Sequence, residues 1–93
     1  MIKTVLKRDG RVAGFNREKI AAAIRKAMLT TELGEDEALI NKITDRIELK
    51  GAEQCSVEQI QDMVEFELMA SRRKDVAKKY IAYRDKRSIA RRA

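Results

Sequence analysis

Apolar positions along the chain fall into five blocks, and the period of each block names an element. In the first, Val5 and Leu6 lead into Lys7-Arg8-Asp9-Gly10-Arg11, and Val12 and Ala13 follow. Asp-Gly between two short β-prone runs is a hairpin signal, because a type I′ turn needs positive φ at both central positions. The pattern predicts strands over 3–8 and 11–14 joined by that two-residue turn. Arg8 then faces Arg11, Lys7 faces Val12, and Val5, Lys7, Val12 and Gly14 share one face.

The other four blocks are helical. Ile20, Ala23, Ile24, Ala27 and Met28 repeat at helical spacing behind Asn16, a good N-cap, with Phe15 and Ile20 placed as a hydrophobic staple; the helix is expected over 17–30. Gly34 interrupts the pattern, and Asp36 caps a second helix, striped by Leu39, Ile40, Ile43 and Ile47 and ending near Lys50 before Gly51. A third begins after Ser56, with Val57, Ile60, Met63, Val64 and Leu68 inward and Glu58 in an acidic first turn that suits the helix dipole. The fourth, over 73–91, carries Val76, Ala77, Tyr80, Ile81 and Tyr83, and its stripe runs on into Arg84 and Arg87. The segment Ser88–Ala93 carries no stop signal, so the helix is expected to continue into a longer protein.

Composition narrows the chemistry. Ninety-three residues suffice for one domain with a modest core, and the absence of Pro agrees with uninterrupted helices. There is no His and a single Cys, Cys55, which removes an internal disulfide, a transition-metal ligand set and the Ser-His-Asp and Cys-His types of catalysis; no Gly-rich phosphate loop occurs either. The lone Cys reads as that of a cytoplasmic chain, and no apolar run approaches the length of a membrane span. The net charge of +6 is uneven: residues 1–71 hold 11 Lys and Arg against 13 Asp and Glu, residues 72–93 hold 10 against 2. That asymmetry points to a phosphate-bearing partner.

Lys7, Arg8, Lys19, Arg84 and Arg87 form the candidate cation set. A two-stranded hairpin needs helices beneath it, and the short Phe15-Asn16 connection brings Lys19 and a helix N-terminus toward Lys7, a setting for a triphosphate. The competing reading makes the basic last helix a nucleic-acid contact with Tyr80 and Tyr83 as stacking platforms. On the residues alone both stay open, beside the plainer alternative of solvated surface charge.

The order Val5-x-Lys7-Arg8-Asp9-Gly10-Arg11, Phe15-Asn16-x-x-Lys19-Ile20, a middle helix, "VEQIQDMVEFELM" and "AKKYIAYRDKR" resembles the ATP-cone, a small regulatory domain at the N-terminus of many ribonucleotide reductases. The likeness runs from Val5 to about Arg92, and its last segment looks most like the anaerobic, glycyl-radical class. It implies a mostly α fold, a four-helix bundle capped by a small β-hairpin, occupying 1–93 as one domain. It also implies an allosteric ligand, ATP or dATP with Mg²⁺, held between hairpin and helices. By resemblance Val5 meets adenine through its backbone, Lys7 and Arg8 engage base and phosphates, and Asn16, Glu18 and Lys19 open the first helix at the ligand. Arg84 and Arg87 supply late cations. The third-helix contact falls on Cys55 or Ser56, with Ser56 taken here, and Ala13 stands where several relatives carry an acid. The implied partners are a catalytic reductase domain in the same or another chain and further copies of the protein. The same cone also occurs beside zinc domains in transcriptional repressors, so a DNA-binding regulator is the alternative.

Overall fold

The computed structural model describes the backbone of residues 1–92 and the side chains of residues 1–86. Strands β1 (Thr4–Leu6) and β2 (Val12–Gly14) precede helices α1 (Arg17–Leu29) and α2 (Glu37–Lys50); strand β3 (Gln54–Ser56) runs directly into α3 (Val57–Ala70), and α4 (Lys74–Arg92) follows. Each of α1 and α3 packs on both α2 and α4, giving a four-helix bundle with the small sheet across one end.

The helices follow local chemistry. The Asn16 side chain accepts from the Glu18 N–H and the Asp36 side chain from the Leu39 N–H, satisfying donors that a helix start leaves orphaned. Ser56 and Gln59 form a reciprocal capping box on α3. Ile24, Met28, Ile40, Ile43, Ile47, Val64, Leu68 and Val76 are sealed from solvent and make the centre of the core. Thr44, also sealed, donates its hydroxyl to main-chain carbonyls one turn back and accepts from Arg17, so its burial leaves no polar atom unpaired.

The hairpin departs from expectation. Its turn has three residues, not two: Gly10 N–H donates to Lys7 O, Lys7 N–H to Arg11 O, and among the described residues only Gly10 and Gly34 have positive φ. Asp9 therefore sits in an ordinary turn conformation, its carboxylate accepting from Arg11 N–H at 3.1 Å and Arg11 Nε at 2.7 Å, and Gly10 alone supplies the left-handed residue of a bulged hairpin. The extra residue slips the register by one, pairing Leu6 with Val12, Val5 with Ala13 and Thr4 with Gly14. A one-residue slip moves every side chain of a strand to the other face. Ala13 consequently joins Val5 above the helices, while Val12 turns outward and is largely exposed.

The sheet also has a third strand. β3 pairs in parallel with β1, Val5 opposite Cys55, so β1 is central. Nothing in "QCS" alternates over enough residues to announce a strand; it is extended because β1 offers a free edge and α3 must start beside it.

Candidate functional site

A cavity of about 890 Å³ lies between the sheet's inner face and the bundle, within the range usual for small-molecule sites. The hairpin contributes Val5, Lys7, Arg8, Asp9, Arg11 and Ala13 to its wall, and Phe15 and Asn16 form the corner where the chain drops into α1. From α1 come Lys19, Ile20, Ala23 and Lys26; Lys19, Ala23 and Lys26 are three or four apart, so a helix sets them on one face with Ile20 beside it. Helix α3 adds Val57, Ile60, Gln61 and Val64, and α4 adds Tyr80 and Tyr83. The floor is apolar: Ile20, Ile60, Val64 and Tyr80 are all buried.

Charge is segregated from that floor. Lys7, Arg8, Arg11, Lys19 and Lys26 meet one carboxylate, Asp9, among the described lining residues. Asp9 is held below the usual carboxylate range, first by the Arg11 backbone N–H and then by the Arg11 side chain, so it stays ionised and paired with Arg11. Lys26 Nζ stands 5.9 Å from the centroid of the Tyr83 ring, a cation–π distance. Burial pushes the Tyr80 phenol up to about 12, keeping it a neutral hydrogen-bonding group at any physiological pH. The N-terminus of α1, marked by its Asn16 cap, opens on the same space and adds the positive end of a helix dipole.

Of the residues expected at the site, Val5, Lys7, Arg8, Asn16 and Lys19 are gathered on this cavity. The phase of the β1–β2 ladder, set by Lys7 N–H to Arg11 O and Phe15 N–H to Lys3 O, places Val5 and Ala13 in hydrogen-bonded opposition. The Val5 N–H is thereby spent on the ladder, and the second lone pair of its carbonyl is what remains for a ligand. Three expected residues lie off the wall. Glu18 gives its backbone N–H to the Asn16 cap. Ser56 Oγ accepts the Gln59 N–H at 3.1 Å as the α3 cap, and the neighbouring Cys55 is buried with its Sγ toward Ala52 O. Arg84 is turned onto α3, donating to Asp62 at 2.8 Å and Glu65 at 2.9 Å with its side chain 19% exposed. Burial opposes its charge, yet the two carboxylates outweigh that and raise its pKa further. Arg87 lies outside the residues whose side chains are described.

Arg11, Lys26 and Gln61 line the cavity without having been expected there. Lys26 was within reach of sequence reasoning, since it lies two helical turns from Lys19. Arg11 depended on the turn length, and Gln61 on the rotation of α3 about its axis.

The ATP cone domain family model matches residues 3–89. The chain is 48% identical to the vitamin B12-dependent ribonucleoside-diphosphate reductase of Thermoplasma acidophilum, covering 98% of this chain and 13% of that protein. It is 39% identical to the ribonucleoside-diphosphate reductase subunit alpha of Chlamydia pneumoniae, over 97% of this chain and 10% of the relative. With the anaerobic ribonucleoside-triphosphate reductase of Haemophilus influenzae it shares 36% identity, over 94% and 13%. The chain thus spans only 10 to 13% of the length of these curated relatives.

Proposed function

The chain belongs to the ATP-cone family, and from that premise we propose that it is an adenine-nucleotide sensor, the regulatory part of a ribonucleotide reductase whose radical chemistry resides elsewhere. The observation that carries this reading is the cavity itself, an apolar floor beneath a rim of five cations. That division matches a ligand with a flat, weakly polar end and a multiply charged anionic end.

In this reading the base lies over Ile20, Ile60 and Val64 beside the Val5 carbonyl, and the phosphates face Lys7, Lys19, Arg11 and Lys26. Among the described residues no group of three Asp, Glu, Cys or His is placed to hold a metal ion, so we assign Mg²⁺ to the nucleotide's own phosphates. Binding of ATP or dATP would shift the equilibrium between active and inactive reductase by favouring one arrangement over the other, with assembly of copies as one readout. The DNA-binding alternative is weaker: Arg73 and Arg84 of the basic final segment are engaged within the fold, with Asp75 and with Asp62 and Glu65. No helix among the described residues is long and apolar enough to cross a membrane.

The test is calorimetric titration with ATP and dATP, each with Mg²⁺, and with GTP as control. Saturable binding of both adenine nucleotides and little of GTP is expected. Two charge-assisted phosphate contacts are worth about 1.5–3 kcal/mol each, so the Lys7→Ala/Lys19→Ala variant should bind at least about 100-fold more weakly without losing its fold. Unchanged affinity in that variant refutes the assigned site. Salt-sensitive binding to duplex DNA that persists under saturating ATP, with no nucleotide effect, would favour the alternative.

A further inference from the structure

One edge of α3 carries Glu58, Asp62 and Glu65, spaced four and three residues apart and so on one helical face. This edge holds two arginines, and it holds them differently. Arg84 has two carboxylate partners and a side chain only 19% exposed, so its charge is already matched twice over. Arg8 reaches across from the hairpin tip to the first turn of α3, where its Nε meets Glu58 Oε1 at 2.6 Å and its Nη2 donates to Gln61 Oε1 at 3.3 Å. Arg8 is also part of the cavity wall, and Gln61 stands beside it there.

The solvation of this second pair is uneven. The Arg8 side chain is 29% exposed and the Glu58 side chain 49%. A guanidinium that is mostly withdrawn from water needs a counter-ion at all times, whereas a half-exposed carboxylate can swing out and be hydrated at small cost. Gln61 keeps one Arg8 nitrogen anchored during such an exchange, and Arg8 stays aimed at the cavity rim.

Building on the nucleotide reading of the cavity, we propose that Glu58 is an exchangeable internal counter-ion: the phosphate end of a bound nucleotide displaces it from Arg8. Glu58 thereby sets the affinity of the site for the anionic end of its ligand, and the exchange leaves the Gln61 contact as the hairpin tip's remaining Arg8 tie to α3. No bond is made or broken beyond the ion pair and its hydrogen bonds.

The experiment is titration of four versions of this 93-residue chain with Mg²⁺-ATP at low salt: wild type, Glu58→Gln, Arg8→Gln and the double variant. Glu58→Gln preserves an exposed helix-start residue, and thermal melts verify that each variant folds. It should bind ATP about two- to fivefold more tightly than wild type, the scale of one exposed ion pair, and on the Arg8→Gln background the gain should vanish. Equal or weaker binding by Glu58→Gln overturns the proposal. So does a gain that survives without Arg8, which would mark Glu58 as a through-space repeller of phosphate. These results are distinct from failure of the sensor reading, which would show as no ATP binding by the wild type and would take this inference with it.

Discussion

Gly51→Ala probes how the roof of the cavity is seated. Gly51 ends α2 with φ −70° and ψ 151°, a conformation any residue adopts, so what the position demands is space. A Cβ there would fall inside contact distance of Ile2 Cγ1 and Cδ1 and 3.3 Å from Cys55 Sγ. Neither neighbour has anywhere to go, since Ile2 is 3% and Cys55 5% exposed. The backbone is pinned as well: Ile2 N–H donates to Glu48 O at 2.9 Å, and the N–H groups of Lys3 and Thr4 both donate to Glu53 O. Forcing a methyl into such a site costs about 1–3 kcal/mol. Taking about 2 kcal/mol, and 4–8 °C per kcal/mol for a domain of this size, the melting temperature should drop by about 8–16 °C. Because β1 starts at this anchor and is the central strand, the displaced roof should also weaken ATP binding. The assay is a double-mutant cycle with Ile2→Ala, by thermal or urea denaturation. Ile2→Ala alone leaves a cavity and should cost about 2–5 kcal/mol, but it removes both clashing atoms, and the Gly51→Ala methyl then partly refills the space. The double variant should therefore be more stable than the sum of the singles predicts, by about 1–2 kcal/mol. A Gly51→Ala protein within about 0.5 kcal/mol of wild type, or strict additivity with Ile2→Ala, refutes the steric reasoning.

Two further outcomes follow from the ion pairs. Arg73, its side chain 11% exposed, donates to Thr31 Oγ1 at 3.0 Å and Gly34 O at 2.9 Å while pairing with Asp75, so it staples the α1–α2 turn to the start of α4. Arg73→Lys cannot reproduce that fork and should cost about 1–3 kcal/mol, with faster amide exchange in the first turn of α4; unchanged melting and exchange would show the staple to be idle. Hydrogen bonds from Arg73 to Asp75 and from Arg25 to Glu37 hold both carboxyls below their ordinary values of 3.8 and 4.5. A carboxyl depressed in the folded state stabilises fully above its unfolded pKa, and that contribution is lost as pH falls through the folded one. The melting temperature should thus decline below about pH 4, less steeply in Asp75→Asn/Glu37→Gln; identical acid profiles for variant and wild type would remove these pairs from the account.

The helices could be read from the chain because each carries its information locally. Asn16, Asp36 and Ser56 are caps whose acceptors act within three residues, and Ile40, Ile43 and Ile47 repeat with a period that neither sheet nor loop would use. Lys7 and Lys19 could be placed together for the same reason, since only Phe15 and Asn16 separate the second strand from α1. Where the reading failed, the deciding contact was distant or the margin was one residue. β3 exists through its pairing with β1, some fifty residues away in sequence. The hairpin register turned on whether Arg8 belonged to the strand or the loop, a choice made by the Asp9 carboxylate binding back to Arg11. Arg84 has the same sequence character as a phosphate-binding arginine; only the azimuth of α3, which sets Asp62 and Glu65 against it, diverts it from the cavity.

The elements around the cavity are joined by links of unequal strength, and that inequality bounds what a ligand can do. The β1–β3 ladder runs into the capping box of α3, so main-chain hydrogen bonds and the continuous chain through Ser56 tie the sheet to the start of that helix. The Arg8–Glu58 pair joins the same two elements by side chains alone, at the rim and partly in water. A nucleotide entering the cavity therefore has a soft link to exchange and a stiff one to leave intact, and the motion it can induce is a loosening of the hairpin tip, still held by Gln61, rather than a separation of the sheet. The free energy available from that exchange is that of one exposed ion pair, about 1 kcal/mol at most, a bias of about fivefold between two arrangements. Allosteric couplings are typically 1–3 kcal/mol. The rest of any larger switch must come from contacts that the base and the cavity lysines make in one arrangement and not the other, which is why the affinity of Lys7 and Lys19 variants and the Glu58 exchange have to be measured on the same ligand.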